Sequence, residues 1–366
     1  MNKREILCIV TGGAGDGARA RRLLQAVNHI DITYYDIDSS RSRLESSRNI
    51  WELLSSNCWD LVFQEGTGIA GGVNLIRSAV CHNQSYVISS GDPVGGYFRT
   101  TRGRFIGTAF EIYERILYRY CSGFIGWTPY LTGMALKMGA RRAITIEGAV
   151  DMSEFIPFSK KRRRTLKQNY GIPSDHLVCG VIGSLNWSEN QSYCYGLELV
   201  EMLRYLNRSD VSVLIVGDGS GRSKLEKRIQ DSHRDRVIFT GRLPRSEVVE
   251  ALNAMDIGFI TQTVDGLGSY RLTTKLPEYL ATGVPVAMSP IPGFYDYVLN
   301  AGWALPDEHP TDPVFHRQTA AWLDNLSKDE VDQQASNART AATKFFDYDV
   351  VAPRFSKFIN QLLCQS

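Results

Sequence analysis

Two kinds of hydrophobic run alternate along the chain. Short, compact, β-branched runs bounded by Gly, Asp or Pro predict buried strands, and longer stretches with apolar residues three or four apart predict helices. Ile6–Val10, Ile32–Tyr35, Leu61–Phe63, Val87–Ser89, Gly123–Trp127 and Ala143–Ile146 are of the first kind. Ala18–Val27, carrying Leu23, Leu24 and Val27, is of the second. So is Phe105–Tyr120, with Phe110, Tyr113, Ile116, Leu117 and Tyr120 on one side. Strands alternating with helices predict an α/β unit whose parallel sheet is covered on both faces.

The alternation lapses from Phe155 to Asn169, which holds Pro157 and the cationic run Lys160–Arg164 and ends at Gly171-Ile172-Pro173. It then restarts. Strands are predicted at Val178–Ile182, Val211–Val216, Val237–Thr240, Ile257–Thr261 and Val284–Met288. Helices are predicted at Gly196–Leu206, Gly221–Asp231, Ser246–Ala254 and Leu276–Ala281. Thr319–Leu326 and Val331–Leu363 read as helical, the latter broken at Asp347 and Pro353. The expected organisation is a Rossmann-like domain over 1–151, a linker over 152–174 and a second Rossmann-like domain over 175–335. A helical segment over 336–366 is expected to cross back to the first domain. Ligands of such sheets bind beyond the carboxyl ends of the strands, so the site is expected in the loops there, facing an interdomain cleft.

Composition adds exclusions. A chain of 366 residues with 43% hydrophobic and 22% charged residues is neither disordered, nor collagenous, nor a coiled-coil rod. Its apolar runs stay below ten residues, short of a membrane-spanning helix, and Met1-Asn2-Lys3-Arg4 does not lead into a signal-peptide core. The seven cysteines are scattered without a C-x-x-C, which argues against a disulfide framework or a zinc site and for a cytoplasmic setting. The histidines, His82, His176, His233, His309 and His316 among them, read as loop or surface residues without ligand spacing, so no metal is expected. The net charge of +2 is split: residues 1–170 carry 23 Lys and Arg against 15 Asp and Glu, a net of +8, and the remainder carries −6.

Several loops follow strands in the position where phosphate or ribose is held. Gly12-Gly13-Ala14-Gly15-Asp16-Gly17 follows the first strand, and Asp36 and Asp38 lie about 20 residues on, the relaxed form of a dinucleotide fingerprint. A tight turn without a ligand is the alternative. Gly217-Asp218-Gly219-Ser220-Gly221 and Gly241-Arg242-Leu243-Pro244 follow later strands. The densest segment is Asp265–Pro285. There Thr273 and Thr274 read as caps, Pro277 as a first-turn proline and Gly283 as the residue past the helix end. Lys275 at the helix start suits a diphosphate. Glu278, three residues on, suits the two hydroxyls of a ribose. A surface Lys–Glu pair is the plain alternative.

These residues carry a resemblance. Val216-Gly217-Asp218-Gly219, Val237–Leu243, Lys275–Val286, Glu147–Phe155 and Gly183–Asn190 occur in the order and spacing of the family 4 glycosyltransferases of GT-B fold. Over residues 1–146 the likeness is architectural. The resemblance implies a retaining, metal-independent transfer of a sugar from a nucleotide diphosphate sugar of UDP or GDP type. Its acceptor would be a saccharide or lipid-linked molecule, in polysaccharide or glycoconjugate synthesis. It implies Glu278 on the ribose and Lys275 on the diphosphate. It also implies Arg242 and Leu243 near the base, Gly183 and Ser184 near the phosphates, and Gly217 and Asn190 in the same loops. Gly12, Gly13, Gly15 and Gly17 would face the donor, and Asp92 would lie near the acceptor as the candidate catalytic group. The chain also departs from the family. The first of two glutamates seven residues apart is replaced by Tyr270. Ser184 and Glu189-Asn190 stand where many members have Arg and Lys, leaving Lys275 or Arg271 to supply charge. Gly91 replaces a histidine before Asp92.

The basic first half suggests an acceptor-side partner. Arg99, Arg102, Arg104, Arg115 and Arg119 interleave with Tyr97, Phe98, Phe105, Tyr113, Leu117 and Tyr118, which suits an anionic membrane surface, and Lys160–Arg164 adds a cluster. Localisation would then be cytoplasmic, peripheral on the inner face of the membrane. A solvated basic face over a core helix is the alternative. Tyr113 and Trp127, like Met134 and Met138, also read as packing residues. No nucleic-acid motif is evident. Competing functions are an NAD-dependent oxidoreductase using Gly13–Gly17 and Asp36, a GT-B nucleotide-sugar epimerase, and a noncatalytic sugar-nucleotide binder.

Overall fold

The computed structural model describes residues 3–11, 14–38, 42–298 and 300–364. Two compact units emerge: residues 1–149 with 270–273 and 348–366, and residues 150–269 with 274–347.

The first unit contains strands β1 (Arg4–Val10), β2 (Ile30–Asp36), β3 (Leu61–Glu65), β4 (Tyr86–Ser90), β5 (Gly123–Gly126) and β6 (Ala143–Thr145). They form one parallel sheet in the order β2-β1-β3-β4-β5-β6. The period-two alternation of a strand sends Ile6, Cys8 and Val10 to one face and Leu7 and Ile9 to the other. The first set packs with Leu61, Phe63, Val87 and Ile125 under helices Ala14–Leu24 and Tyr348–Leu363. The second packs with Val62, Tyr86, Ile88 and Phe124 under helices Arg43–Ser56, Ile69–His82, Arg104–Tyr120 and Pro129–Met138.

The second unit contains β7 (Leu177–Ile182), β8 (Val211–Val216), β9 (Val237–Gly241), β10 (Ile257–Ile260), β11 (Val286–Met288) and β12 (Gly302–Ala304), all parallel, in the order β12-β11-β10-β7-β8-β9. Strand order therefore reverses between β7 and β10, and in the first unit between β1 and β3. In open α/β sheets such switch points hold the ligand crevice.

The α/β class is as expected, and several local readings need correction. The Lys160–Arg164 run lies in a helix, Lys160–Asn169, started by the Ser159 cap. Lys167 from that helix is buried and reaches Asp256 (2.6 Å), while Arg163 donates to the carbonyls of Asn253 and Met255. The C-terminal helix runs through Pro353 rather than breaking there. His316 is buried in helix Pro313–Asn325, its Nε2 2.8 Å from the Pro310 carbonyl. Trp127 is buried, and Met134, Met138 and Tyr113 pack against the second-face cluster, as read from the sequence.

Candidate functional site

In the second unit the loops after β7, β8 and β9 are knitted together by their backbones. Gly183 N donates to the Val216 carbonyl (2.9 Å), Leu185 N to that of Asp218 (3.1 Å), Gly221 N to that of Leu185 (2.8 Å) and Gly217 N to that of Gly241 (2.9 Å). Gly217 has φ +135°, and a Cβ built there would overlap the Gly183 carbonyl oxygen. We expect Gly217→Ala to lower unfolding stability by about 3 kcal/mol, from a left-handed φ plus displacement of the neighbouring loop. Denaturant unfolding of the purified variant checks this, and an unchanged midpoint would refute it.

Helix Lys275–Ala281 stands over this knit. The Lys275 side chain lies along Gly183, its Cε 2.8 Å from where a Cβ at 183 would sit, and its Nζ is 3.0 Å from the centroid of the Tyr195 ring. Glycine at 183 is thus needed both for its φ of +144° and for the lysine beside it. Tyr279, fully buried, accepts a hydrogen bond at its hydroxyl from Ile182 N (3.0 Å) and lies flat on Gly258. It satisfies the last β7 amide, where β10 no longer pairs with β7, and fixes the helix to the strand end. Gly283 has φ +72°, as its place beyond the helix predicts. Thr274 stands at the N-cap and makes no side-chain capping bond, unlike the role read for it from the sequence.

Glu278 is half-buried one turn into this helix, and its carboxyl is pushed up to about 7 by burial, with Arg245 and Lys275 pulling it down and Glu154 raising it. Among the described residues its carboxylate accepts no direct hydrogen bond. Arg245 grips Glu154 with two bonds of 2.6 and 2.8 Å. Arg339 holds the same segment through the carbonyls of Met152 (2.9 Å), Phe155 (2.8 Å) and Ala281 (2.5 Å). A buried triad lies at the switch point. Glu198 accepts from Tyr193 (3.0 Å) and from Thr261 (3.0 Å), the residue after β10. Sequence reading missed Arg245, Arg339, Tyr195 and Glu198, and assigned Glu154 no role beyond the Glu147–Phe155 stretch. Their partners lie tens of residues away, or they sit in an irregular loop.

Ser184, Asn190 and Arg242 are exposed and Leu243 half-exposed, in the loops after β7 and β9. Arg222, the first residue of the short helix Arg222–Glu226 that follows the β8 loop, lies over Phe239 (5.5 Å) and bonds Glu226 (2.9 Å).

Tyr270 and Arg271 belong to the first unit. Tyr270 packs against its second-face cluster, and its carbonyl accepts from Thr128 (2.9 Å). Arg271 donates to Asp92 (Nε to Oδ1, 2.5 Å), so the two charges sequence reading assigned to different roles form one ion pair. At this unit's switch point Glu65 is fully buried. It is paired with Arg19 (3.0 Å) and accepts from Ser89 (2.8 Å) and Trp127 (3.3 Å), and Arg19 also donates to the Ile146 carbonyl (2.8 Å). Burial raises the Glu65 carboxyl above its ordinary range, against the pull of Arg19. Gly12 and Gly13 lie outside the described residues. Gly15 and Gly17 are not in a loop but in the first turns of helix Ala14–Leu24. Asp36, the acid a dinucleotide would need, pairs with Arg21.

Comparison with known proteins bears on the fold. Residues 176–315 match the family model of Glycosyl transferases group 1. The 2-deoxystreptamine glucosyltransferase of Streptomyces kanamyceticus is 28% identical over 173 residues, 46% of this chain, and the chain covers 42% of that relative's length. Sucrose-phosphate synthase of Thermosynechococcus elongatus superposes with a TM-score of 0.75 at 13% identity, over 99% of this chain and 100% of that one. Anabaena HepE in complex with UDP and glucose gives 0.71 at 15%, over 99% and 100%. The fold is GT-B, with two Rossmann-like units. The match to the group 1 glycosyltransferase model covers fewer than half of the residues and spans β7 to β12.

Proposed function

We propose that the protein transfers a sugar, with retention of anomeric configuration, from a nucleotide diphosphate sugar of UDP type to a saccharide or lipid-linked acceptor. The observation that carries this is Glu278. A half-buried carboxylate without a hydrogen-bond partner among the described residues stands one helical turn from Lys275, above three interlocked glycine loops. Two vicinal hydroxyls are the chemistry that such a carboxylate accepts from. Lys275 supplies positive charge for a diphosphate, and Arg242 lies near the base. In the transfer the bond from the anomeric carbon to the phosphate oxygen breaks and one to the acceptor oxygen forms on the same face. The acceptor proton passes to the departing phosphate, which Lys275 stabilises. Asp92, held by Arg271, orients the acceptor. UDP is preferred over GDP because HepE is described with UDP and UDP-glucose and the curated relative is a glucosyltransferase. The reading extends to a cytoplasmic protein, peripheral on the inner face of a membrane, in glycoconjugate or polysaccharide synthesis. No described helix is long and apolar enough to cross a membrane.

Calorimetry and thermal unfolding with UDP, GDP, ADP and NAD test this. UDP at a hundred times its dissociation constant should stabilise the protein by about 2.7 kcal/mol, raising the unfolding midpoint by several degrees. Binding of NAD with no response to any nucleoside diphosphate would overturn the proposal.

A further inference from the structure

Between residues 66 and 146 the chain carries nine Lys and Arg but only three acids, Asp92, Glu111 and Glu114. Each acid is engaged: Asp92 with Arg271, Glu111 with Arg99, and Glu114, buried, with the amides of Val94 and Gly95 (2.8 Å each). Arg102, Arg104, Arg115, Arg119, Lys137, Arg141 and Arg142 form no ion pair among the described residues. Net positive charge is therefore concentrated on one part of the first unit and is not neutralised there.

Helix Arg104–Tyr120 shows how this charge is arranged. Tyr118 and Leu117 point inward and are buried, and Tyr113 packs over Gly72 with its hydroxyl on the Thr67 carbonyl (3.2 Å). These three, read from the sequence as part of a basic aromatic surface, belong to the core side. The outward residues are Phe105, Ile112, Ile116 and Tyr120, which are 93%, 55%, 41% and 49% exposed. Spaced by seven, four and four, they form one stripe at 3.6 residues per turn. Arg104, Arg115 and Arg119 line one edge of that stripe. At its end Arg119 joins Arg141 and Arg142 around a cavity of about 500 Å³ that is also lined by Ser85, Ser122 and Tyr120 and by no acid.

We propose that this helix lies in the interface of an anionic phospholipid bilayer. The Phe105–Tyr120 stripe enters the acyl boundary, and the cavity of Arg119, Arg141 and Arg142 takes a lipid phosphate. An apolar stripe with an arginine edge, whose acid Glu111 is taken up by Arg99, has the chemistry of an interfacial helix. The charge complementarity selects phosphatidylglycerol-like lipids over zwitterionic ones. This rests on the reading of a lipid-linked acceptor given above and names the surface that brings the enzyme to it.

The test is co-sedimentation of the full chain with vesicles of phosphatidylcholine alone or with 30% phosphatidylglycerol (about one lipid in three, enough to set an anionic surface), at low and high salt. The protein should pellet with the anionic vesicles only, and salt should release it. Ile112→Asp with Ile116→Asp, both on the exposed side, should lower partitioning at least tenfold, and Arg119→Ala and Arg141→Ala about fivefold each. UDP binding of these variants should stay at the wild-type level, which separates this surface from the donor site. Wild-type protein remaining in the supernatant at low salt would overturn the proposal. So would unchanged partitioning of the double aspartate variant, or dimerisation in solution that is lost in that variant.

Discussion

Replacing Glu278 by alanine lowers kcat/KM for the nucleotide-sugar donor by about 10²–10⁴-fold. Two charge-assisted hydrogen bonds to a ribose diol, at about 1.5–3 kcal/mol each, account for that range. Glu278→Gln keeps the shape, loses the charge, and should fall between the two. The pH dependence has a definite sign. The Glu278 carboxyl titrates at about 7 in the free protein, because burial disfavours its ionised form more than Arg245 and Lys275 favour it. A diol binds best to the ionised form, so donor affinity should fall as pH drops below 7. Stability runs the other way. The folded state holds a proton that the unfolded chain releases near 4.5, so the group destabilises the fold above pH 7. That penalty is removed as pH falls from 7 toward 4.5. Glu278→Gln should therefore be more stable than wild type at pH 8, by about 2 kcal/mol, while binding donor less well. Thermal unfolding and UDP calorimetry on the same variant read both effects. A variant with wild-type kcat/KM ends the ribose assignment.

Lys275→Met should reduce kcat by about 10²–10³-fold with a smaller change in donor KM. Methionine retains the packing along Gly183 and over Tyr195, so the fold survives and only the charge is lost. Charge on the departing diphosphate grows toward the transition state, and a preorganised cation is worth most there. Arginine is not a conservative replacement. The lysine methylene lies against the one position in the loop without a side chain, and a guanidinium is wider than an ammonium. Steady-state kinetics with UDP-glucose and a saccharide acceptor decide the matter. Wild-type kcat in Lys275→Met would remove the lysine from the reaction.

Much of this was legible locally. The β-branched runs marked eleven of the twelve strands among the described residues; β12, three residues long and centred on Trp303, had too little pattern to read. Lys275, Glu278 and Gly283 were readable because a helix fixes their spacing. Other features depend on contacts across the fold. Helix Ile69–His82 has glycines at 71 and 72, poor helix formers, where Gln64 and Tyr113 press close. Helix Lys160–Asn169 has a single buried apolar residue, Leu166, and is held by Lys167 and Arg163 on a segment some 90 residues away. In helix Arg104–Tyr120 the apolar residues are frequent enough on both sides that periodicity alone did not show which side faces the core.

The loops after β7, β8 and β9 are joined mainly through main-chain groups, and that determines where the sequence is free to vary. Ser184 and Arg242 stand on this framework exposed, with no hydrogen bond or ion pair among the described residues. Their side chains carry no share of the fold's stability, whereas a side chain added at Gly183 or Gly217 costs stability. A library randomised at 184 and 242 should stay folded while its nucleotide preference drifts, and one randomised at 183 and 217 and selected for stability should be enriched in glycine. Recognition in this unit can thus diverge among descendants without a stabilising change having to come first.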